Sequence, residues 1–296
     1  MIIKGHLGGV ISVDNNITIL CDSSVDLSVE FMKERNIEFL SLLVDLNGYV
    51  YKDKVNLSNG EFYEAIKHKD TTVKTSQVTP YEFEEFFKKE IEKGNKVICL
   101  TCSSKLSGTN SSANIAKMHL EQGSEDIFVV DTLVACGGLG CLVTAAVDMR
   151  DKGYSVEKIL EVINNLIGRL ETLIVIDTVD MLKRGGRISS GKAVASHILG
   201  IKPIITVVDG ALEPCGKARG KIKALKQVID LMKTRELDNN YNIIVSHAND
   251  LEAAKQAVKL IEDELGTNKI LINEIGTAVG THSGQGALAL FFIKSK

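Results

Sequence analysis

Hydroxyl-rich patches and one histidine are the features of this chain whose types and spacing invite chemistry. KTSQVTP (Lys74–Pro80) sets three hydroxyls just ahead of a helical pattern. Capping accounts for Thr79, which precedes Pro80, but leaves Thr75 and Ser76 unexplained. SSKLSGTNSSA (Ser103–Ala113) follows an apolar strand-like run and carries Ser107, Gly108 and Thr109. At the carboxyl edge of an open sheet such a segment lies where ligands sit, and Gly108 lets backbone amides turn toward an anion. GTHSGQG (Gly280–Gly286) holds His282 and Ser283 in what reads as a glycine-rich loop between strands, a poor core environment. His6, His68 and His119 have no comparable setting. KRGGRISSGK (Lys183–Lys192) places Arg184 and Arg187 on either side of two glycines, a pattern that predicts a tight exposed turn. Arginine's planar fork holds carboxylates and phosphates there.

Several familiar signatures fail for physical reasons. Gly186–Lys192 has P-loop spacing, but Ala193 follows, so no hydroxyl is available for magnesium. GQGALA (Gly284–Ala289) opens a strand, whereas a dinucleotide phosphate needs a helix N-terminus. GTHSG puts its serine one place too late for a nucleophile elbow. No zinc, EF-hand or clustered His/Cys pattern is present, so neither a metal nor a cofactor is expected. Cys99 and Cys102 share a strand-like run in which positions three apart face opposite ways, which predicts buried structural cysteines. With 35 basic against 38 acidic residues, no Trp and 5% aromatics, nucleic-acid binding is disfavoured. No signal-peptide core and no long apolar window is evident, so the expectation is a cytoplasmic protein without stable membrane insertion.

The elements that must position these patches read as α/β. Ile17–Leu20, Ile37–Val44, Lys96–Cys102 and Ile127–Asp131 are apolar strand runs separated by helices such as 80–93, the pattern of a buried parallel sheet, doubly wound. Helices follow at 138–152 and 155–169. Beyond them come strand runs at 172–178, 201–208, 241–247, 269–276 and 286–293, with only two long helices, 221–235 and 250–265. Some of those strands must join without a crossover helix, so a mixed sheet is predicted. The expected division is an extension to residue 16, an N-terminal α/β domain over 17–170 and a C-terminal α/β domain over 171–296.

In this order, CDSSVDL (Cys21–Leu27), TSQVTP, SSKLSGTNSSA, LKRGGRIS, IKPIITVVDG, SHAND (Ser246–Asp250) and GTHSGQG resemble the DegV family of bacterial fatty-acid-binding proteins, from about Ile17 to Phe292. The resemblance implies two α/β domains with one long-chain fatty acid buried between sheet and helices and its carboxylate at the domain interface. It also implies a partner, an ATP-dependent fatty acid kinase subunit that phosphorylates the carboxylate, this chain having no complete catalytic machinery. By the resemblance, Thr75 and Ser107 contact the carboxylate and His282 lies close by. Arg184 and Arg219 match positions linked to head-group organisation or kinase docking. TSQVTP is stretched relative to the family's usual TSxP, and Cys21 replaces its usual threonine. Apolar runs such as TAAV and LIVIDT could supply the tunnel lining. Two rivals remain: an acyl hydrolase with Ser107 as nucleophile and His282 as base, and a carrier of another amphiphile.

Overall fold

The computed structural model describes residues 16–68, 70–188 and 200–295. The extension before Asn16 and the stretch from Ser189 to Lys192 of the basic turn lie outside the described residues.

Strands β1 (Ile17–Asp22), β2 (Ile37–Leu40), β6 (Lys96–Thr101) and β7 (Ile127–Asp131) form a parallel sheet in the order β2-β1-β6-β7. The central strands are buried on both faces, and their residues split between two cores. Leu20, Val97 and Cys99 pack with Phe83 and Phe87 of α3 (Pro80–Glu92) and with Ala113 and Ala116 of α4 (Thr109–His119). Ile19, Ile98 and Leu100 face α5 (Cys136–Arg150) and α6 (Val156–Ile167), while α1 (Val29–Glu34) adds Met32. This is the predicted doubly wound arrangement. Cys99 and Cys102 fall into opposite cores, and both are free and buried. Thr79 caps α3 in a capping box with Glu82, and Pro80 opens the helix.

The run Ile37–Val44, expected as one strand, breaks at Ser41. Beyond the break, β3 (Leu43–Leu46) joins β4 (Tyr49–Lys52) and β5 (Val73–Ser76) in a separate antiparallel sheet, order β4-β3-β5. The alternating burial of β3 marks a one-sided sheet, unlike the two-sided burial of β1 and β6. Asn47 (φ 55°) and Gly48 (φ 87°) supply the paired positive φ of a tight hairpin. Between β4 and β5 lies α2 (Asn59–Ala65), capped by Ser58 and Glu61.

The chain enters a six-stranded mixed sheet at β8 (Leu170–Val175), followed by α7 (Asp180–Arg184), β9 (Ile201–Val208), β10 (Ala211–Arg219), α8 (Lys221–Thr234), β11 (Ile243–His247), α9 (Leu251–Leu265), β12 (Ile270–Glu274), α10 (Thr277–Ser283) and β13 (Leu288–Ile293). Strand order is β10-β9-β8-β13-β11-β12, and only β11 and β12 run parallel. Helices α8 and α9 cover one face. The other face meets α5, α10 and the three-stranded sheet, so α5 is wedged between the two lobes. The glycines at its start permit this: a Cβ on Gly137 would stand 2.7 Å from Ser246 Oγ. Among the described residues no helix is long and apolar enough to cross a membrane.

Candidate functional site

Thr75 owes its direction to the short strand β5. It pairs with Val44 of β3 and shares that strand's buried face, whereas Ser76, one residue on, is exposed. Ser107 lies in the loop after β6, which Ser103 fastens to the opposite lobe by donating to Gly210 O at 2.7 Å. The Ser107 and Thr109 hydroxyls are 2.8 Å apart, and Thr109 N–H donates to Ser107 Oγ at 3.3 Å. Thr109 thus stands behind Ser107 at the first turn of α4, whose N-cap Gly108 offers no side chain to the free amides. A Cβ on Gly108 would overlap the amide of Gln77, so that flexible, exposed side chain lies directly against the glycine. Gln77 Nε2 in turn donates to Ser112 Oγ at 2.7 Å.

His282 is not in a loop. The expected loop GTHSGQG begins as helix α10, and the chain leaves that helix only at Gly284 (φ 72°). A two-turn helix of sequence TAVGTHS has too short an apolar stripe to betray it, so composition suggested a turn. The imidazole projects from the end of α10, and its Nε2 lies 2.8 Å from Thr75 Oγ1. Among the described residues Nδ1 is buried without a partner. Burial, with the Arg187 charge as the smaller cause, pushes the imidazole pKa down to about 4. The ring is therefore neutral at pH 7. An unpaired buried acceptor costs less than an unpaired buried N–H, which favours the proton on Nε2. Nε2–H then donates to Thr75 Oγ1 and leaves the threonine O–H free to donate onward.

Arg187 laces this corner together. Its Nε donates to Leu106 O at 2.8 Å and its Nη1 to Gly185 O, joining the turn after α7 to the Ser107 loop. Arg184 is exposed on α7, and Arg219 is exposed at the end of β10 that pairs with Ile201. Thr75, Ser76, Ser107, Gly108, Arg187, His282 and Ser283 surround one cavity of about 460 Å³; Thr109, Arg184 and Arg219 do not line it. The remaining wall is mainly apolar: Ile174 and Ile176 from β8 and its end, Ala289 and Phe291 from β13, and Ala278 and Val279 from α10. Of the runs expected to supply lining, LIVIDT does so, but Ala145, Ala146 and Val147 of TAAV lie in the N-terminal core. Sequence reasoning missed Gln77 and Ser24, although they sit inside the TSQ and CDSSVDL motifs, and Thr172, which carried no signal beyond its place in a strand run.

The hydrolase pair of the rival reading is not assembled. Ser107 is bonded to Thr109 and His282 to Thr75, so no base stands on the serine. Among the described residues no group of three or more His, Cys, Asp or Glu side chains could hold a metal. What the arrangement offers is a slot for an apolar tail, within the usual volume range of ligand sites. One end carries hydroxyl donors, a neutral imidazole and the amides of a helix N-terminus, which suits an anionic head.

Fold and site together define a two-lobed α/β protein with a mainly apolar slot and a polar end at the seam. The chain belongs to the DegV family, described as "Uncharacterised protein, DegV family", which matches residues 16–295. A DegV domain-containing protein of Clostridium acetobutylicum is 37% identical over 279 residues, covering 94% of this chain and 98% of the relative. A fatty-acid-binding DegV family protein from Thermus thermophilus superposes with a TM-score of 0.85 at 26% identity, over 95% of this chain and 100% of that one. DegV from Bacillus subtilis, a fatty acid binding protein, gives 0.82 at 27% identity, over 94% and 99%. A stearic acid-binding protein from Eubacterium ventriosum gives 0.85 at 25% identity, over 94% and 98%.

Proposed function

We propose that this chain binds one long-chain fatty acid, tail in the inter-lobe slot and carboxylate at the Thr75–Ser107–His282 end, and presents that carboxylate to an ATP-dependent kinase subunit. The observation that carries the reading is the apolar slot closed at one end by hydroxyl donors and a neutral imidazole. The fatty-acid binding of the Thermus, Bacillus and Eubacterium proteins supports it. Each buried methylene contributes about 0.8 kcal/mol, so a long tail gives on the order of 10 kcal/mol gross. An unpaired buried carboxylate would take back several kcal/mol, and the Thr75 and Ser107 hydroxyls offset that without a tight cationic clamp. Arg187, already bonded to two carbonyls, leaves the carboxylate oxygen able to attack the γ-phosphorus of ATP. The products are acyl phosphate and ADP.

The test begins with solvent extraction and mass spectrometry of the purified protein. A bound long-chain acid is expected; recovery without any acyl chain counts against the reading. With the kinase partner added, Thr75→Ala combined with Ser107→Ala keeps the fold and loses acyl-phosphate formation. Undiminished turnover by that variant removes the head-group assignment.

A further inference from the structure

The head-group end depends on a ring that no bond holds from behind. An imidazole that must keep its aim ordinarily has its second nitrogen tied to a partner, yet among the described residues His282 Nδ1 is buried and bare. Its reach to Thr75 therefore falls to the backbone of α10. The N-terminal end of that helix is gripped from the other lobe. Asp26 Oδ1 accepts from Gly276 N–H at 2.8 Å, and Asp53 Oδ1 accepts from the Thr277 hydroxyl at 2.6 Å. The Tyr63 hydroxyl donates to Ile275 O at 2.9 Å. The approach is close: a Cβ on Gly276 would stand 2.9 Å from Asp26 Oδ1, and one on Gly280 2.7 Å from the Tyr63 hydroxyl.

This grip is a costly way to cap a helix. Asp26 and Asp53 are 4% and 1% exposed, and the second oxygen of each is buried with no partner among the described residues. Helices α2, α3 and α6 use ordinary Ser or Thr caps, Ser58, Thr79 and Ser155, and α9 is capped by Asp250 from its own N-cap position. The carboxylates at α10 come instead from distant segments of the chain. Asp26 (φ 49°) and Lys54 (φ 64°) also adopt left-handed backbone to bring these groups together, a strain found where geometry must be held. Lys54 Nζ donates to Leu27 O at 3.1 Å, and its charge favours ionised Asp26.

We propose that Asp26 and Asp53 form a cross-lobe clamp on the start of α10 that sets the reach of His282 to Thr75, and so act as positioning residues for the head group. The inference rests on the carboxylate-binding reading above. Charge-assisted bonds at the positive end of a helix are shorter and stiffer than neutral caps. A short helix transmits their position over the five residues from Thr277 to His282, about 8 Å. Thr75 belongs to the same lobe as the clamp, so both sides of the hydrogen bond across the seam are referred to one frame.

Asp53→Ala and Thr277→Val each remove one clamp bond. Titration calorimetry with palmitate and with palmityl alcohol is expected to show palmitate binding weakened about tenfold and alcohol binding unchanged. In a His282→Ala background neither change is expected to weaken palmitate further. Equal losses for acid and alcohol, or losses that add to that of His282→Ala, overturn the clamp. A second readout needs no lipid: the His282 ring resonances of the acyl-free protein move in both variants, and unmoved resonances overturn the clamp. Failure of the wild type to bind palmitate sinks the carboxylate reading, while the ring resonances still decide the clamp. If Asp53→Ala does not fold, Thr277→Val carries the same measurements.

Discussion

Two adjacent glycines divide the labour of the turn that carries Arg187. Gly185 has ordinary helical backbone (φ −75°), but a Cβ on it would overlap His282 Nδ1. Gly186 has φ +71° and nothing within 4 Å of where its Cβ would stand. Alanine at the first position therefore displaces the imidazole without straining the backbone. At the second it strains the backbone and touches nothing, costing about 1 kcal/mol. Gly185→Ala is expected to weaken palmitate binding as well as to lower the urea midpoint through overpacking, and Gly186→Ala to lower the midpoint with unchanged binding. Calorimetry and urea unfolding of the two variants check this, and a matched effect of the two variants on binding would refute it. At this scale Thr75, Ser107 and His282 could be singled out from type and neighbourhood alone, because hydroxyls in excess of capping needs stand out. Their pairing could not. Thr75 and His282 are 207 positions apart, and local spacing says nothing about which side chain meets which across a seam.

Elements were legible where a periodicity ran long enough to dominate its surroundings. Strands β6 and β7 and the mixed character of the second sheet follow from patterns of five or more residues, β1 from the mostly apolar run Ile17–Leu20, and the α3 cap from Thr79 before Pro80. The three-stranded sheet did not, because β3, β4 and β5 have four residues each and two periods of alternation look like a turn. Strand β10 was missed for a related reason, since its burial is intermediate along most of its length and gives no clean face. Helix α5 presents a different conflict between local preference and packing. Its run CGGLG is poor helix sequence, yet those glycines are where it meets the six-stranded sheet. A Cβ on Gly138 would come 2.9 Å from Phe291 Cδ1, and Phe291 also lines the slot. Gly138→Ala gains about 1 kcal/mol of helix propensity and loses about 1–3 kcal/mol to overpacking. A net loss of about 1 kcal/mol is expected, with the phenyl ring pushed into the slot. Acids recovered with the variant should be shorter than those recovered with the wild type. An unchanged chain-length profile with an unchanged unfolding midpoint would show that the helix has room to spare.

The whole molecule places two oppositely perturbed groups at either end of one short helix, a pairing invisible in a net charge of −3. Burial raises Asp26 from 3.8 to about 6, against the Lys54 charge, the Cys136 thiol and the Gly276 amide, and with a smaller push from Asp53. Burial and the Arg187 charge lower His282 from 6.5 to about 4. The signs follow from proton linkage. Folded Asp26 holds its proton more tightly than the unfolded chain does, so it costs stability above pH 6 and that cost vanishes as pH falls toward 4. Folded His282 resists the proton that the unfolded chain accepts, so it costs nothing above pH 6.5 and costs progressively more as pH falls toward 4. Each effect amounts to about 3 kcal/mol at full development, and the two windows overlap, so in the wild type they largely offset. Comparing each variant with the wild type at the same pH cancels the contributions of all other titrating groups. Asp26→Asn is therefore expected to be more stable than the wild type at pH 7.5, with its advantage gone near pH 4. His282→Gln is expected to gain relative to the wild type as pH falls from 7 to 4. Urea unfolding of the three proteins across that range measures both differences. If the two curves run parallel to the wild type's, the seam does not hold these groups in the protonation states on which its geometry depends.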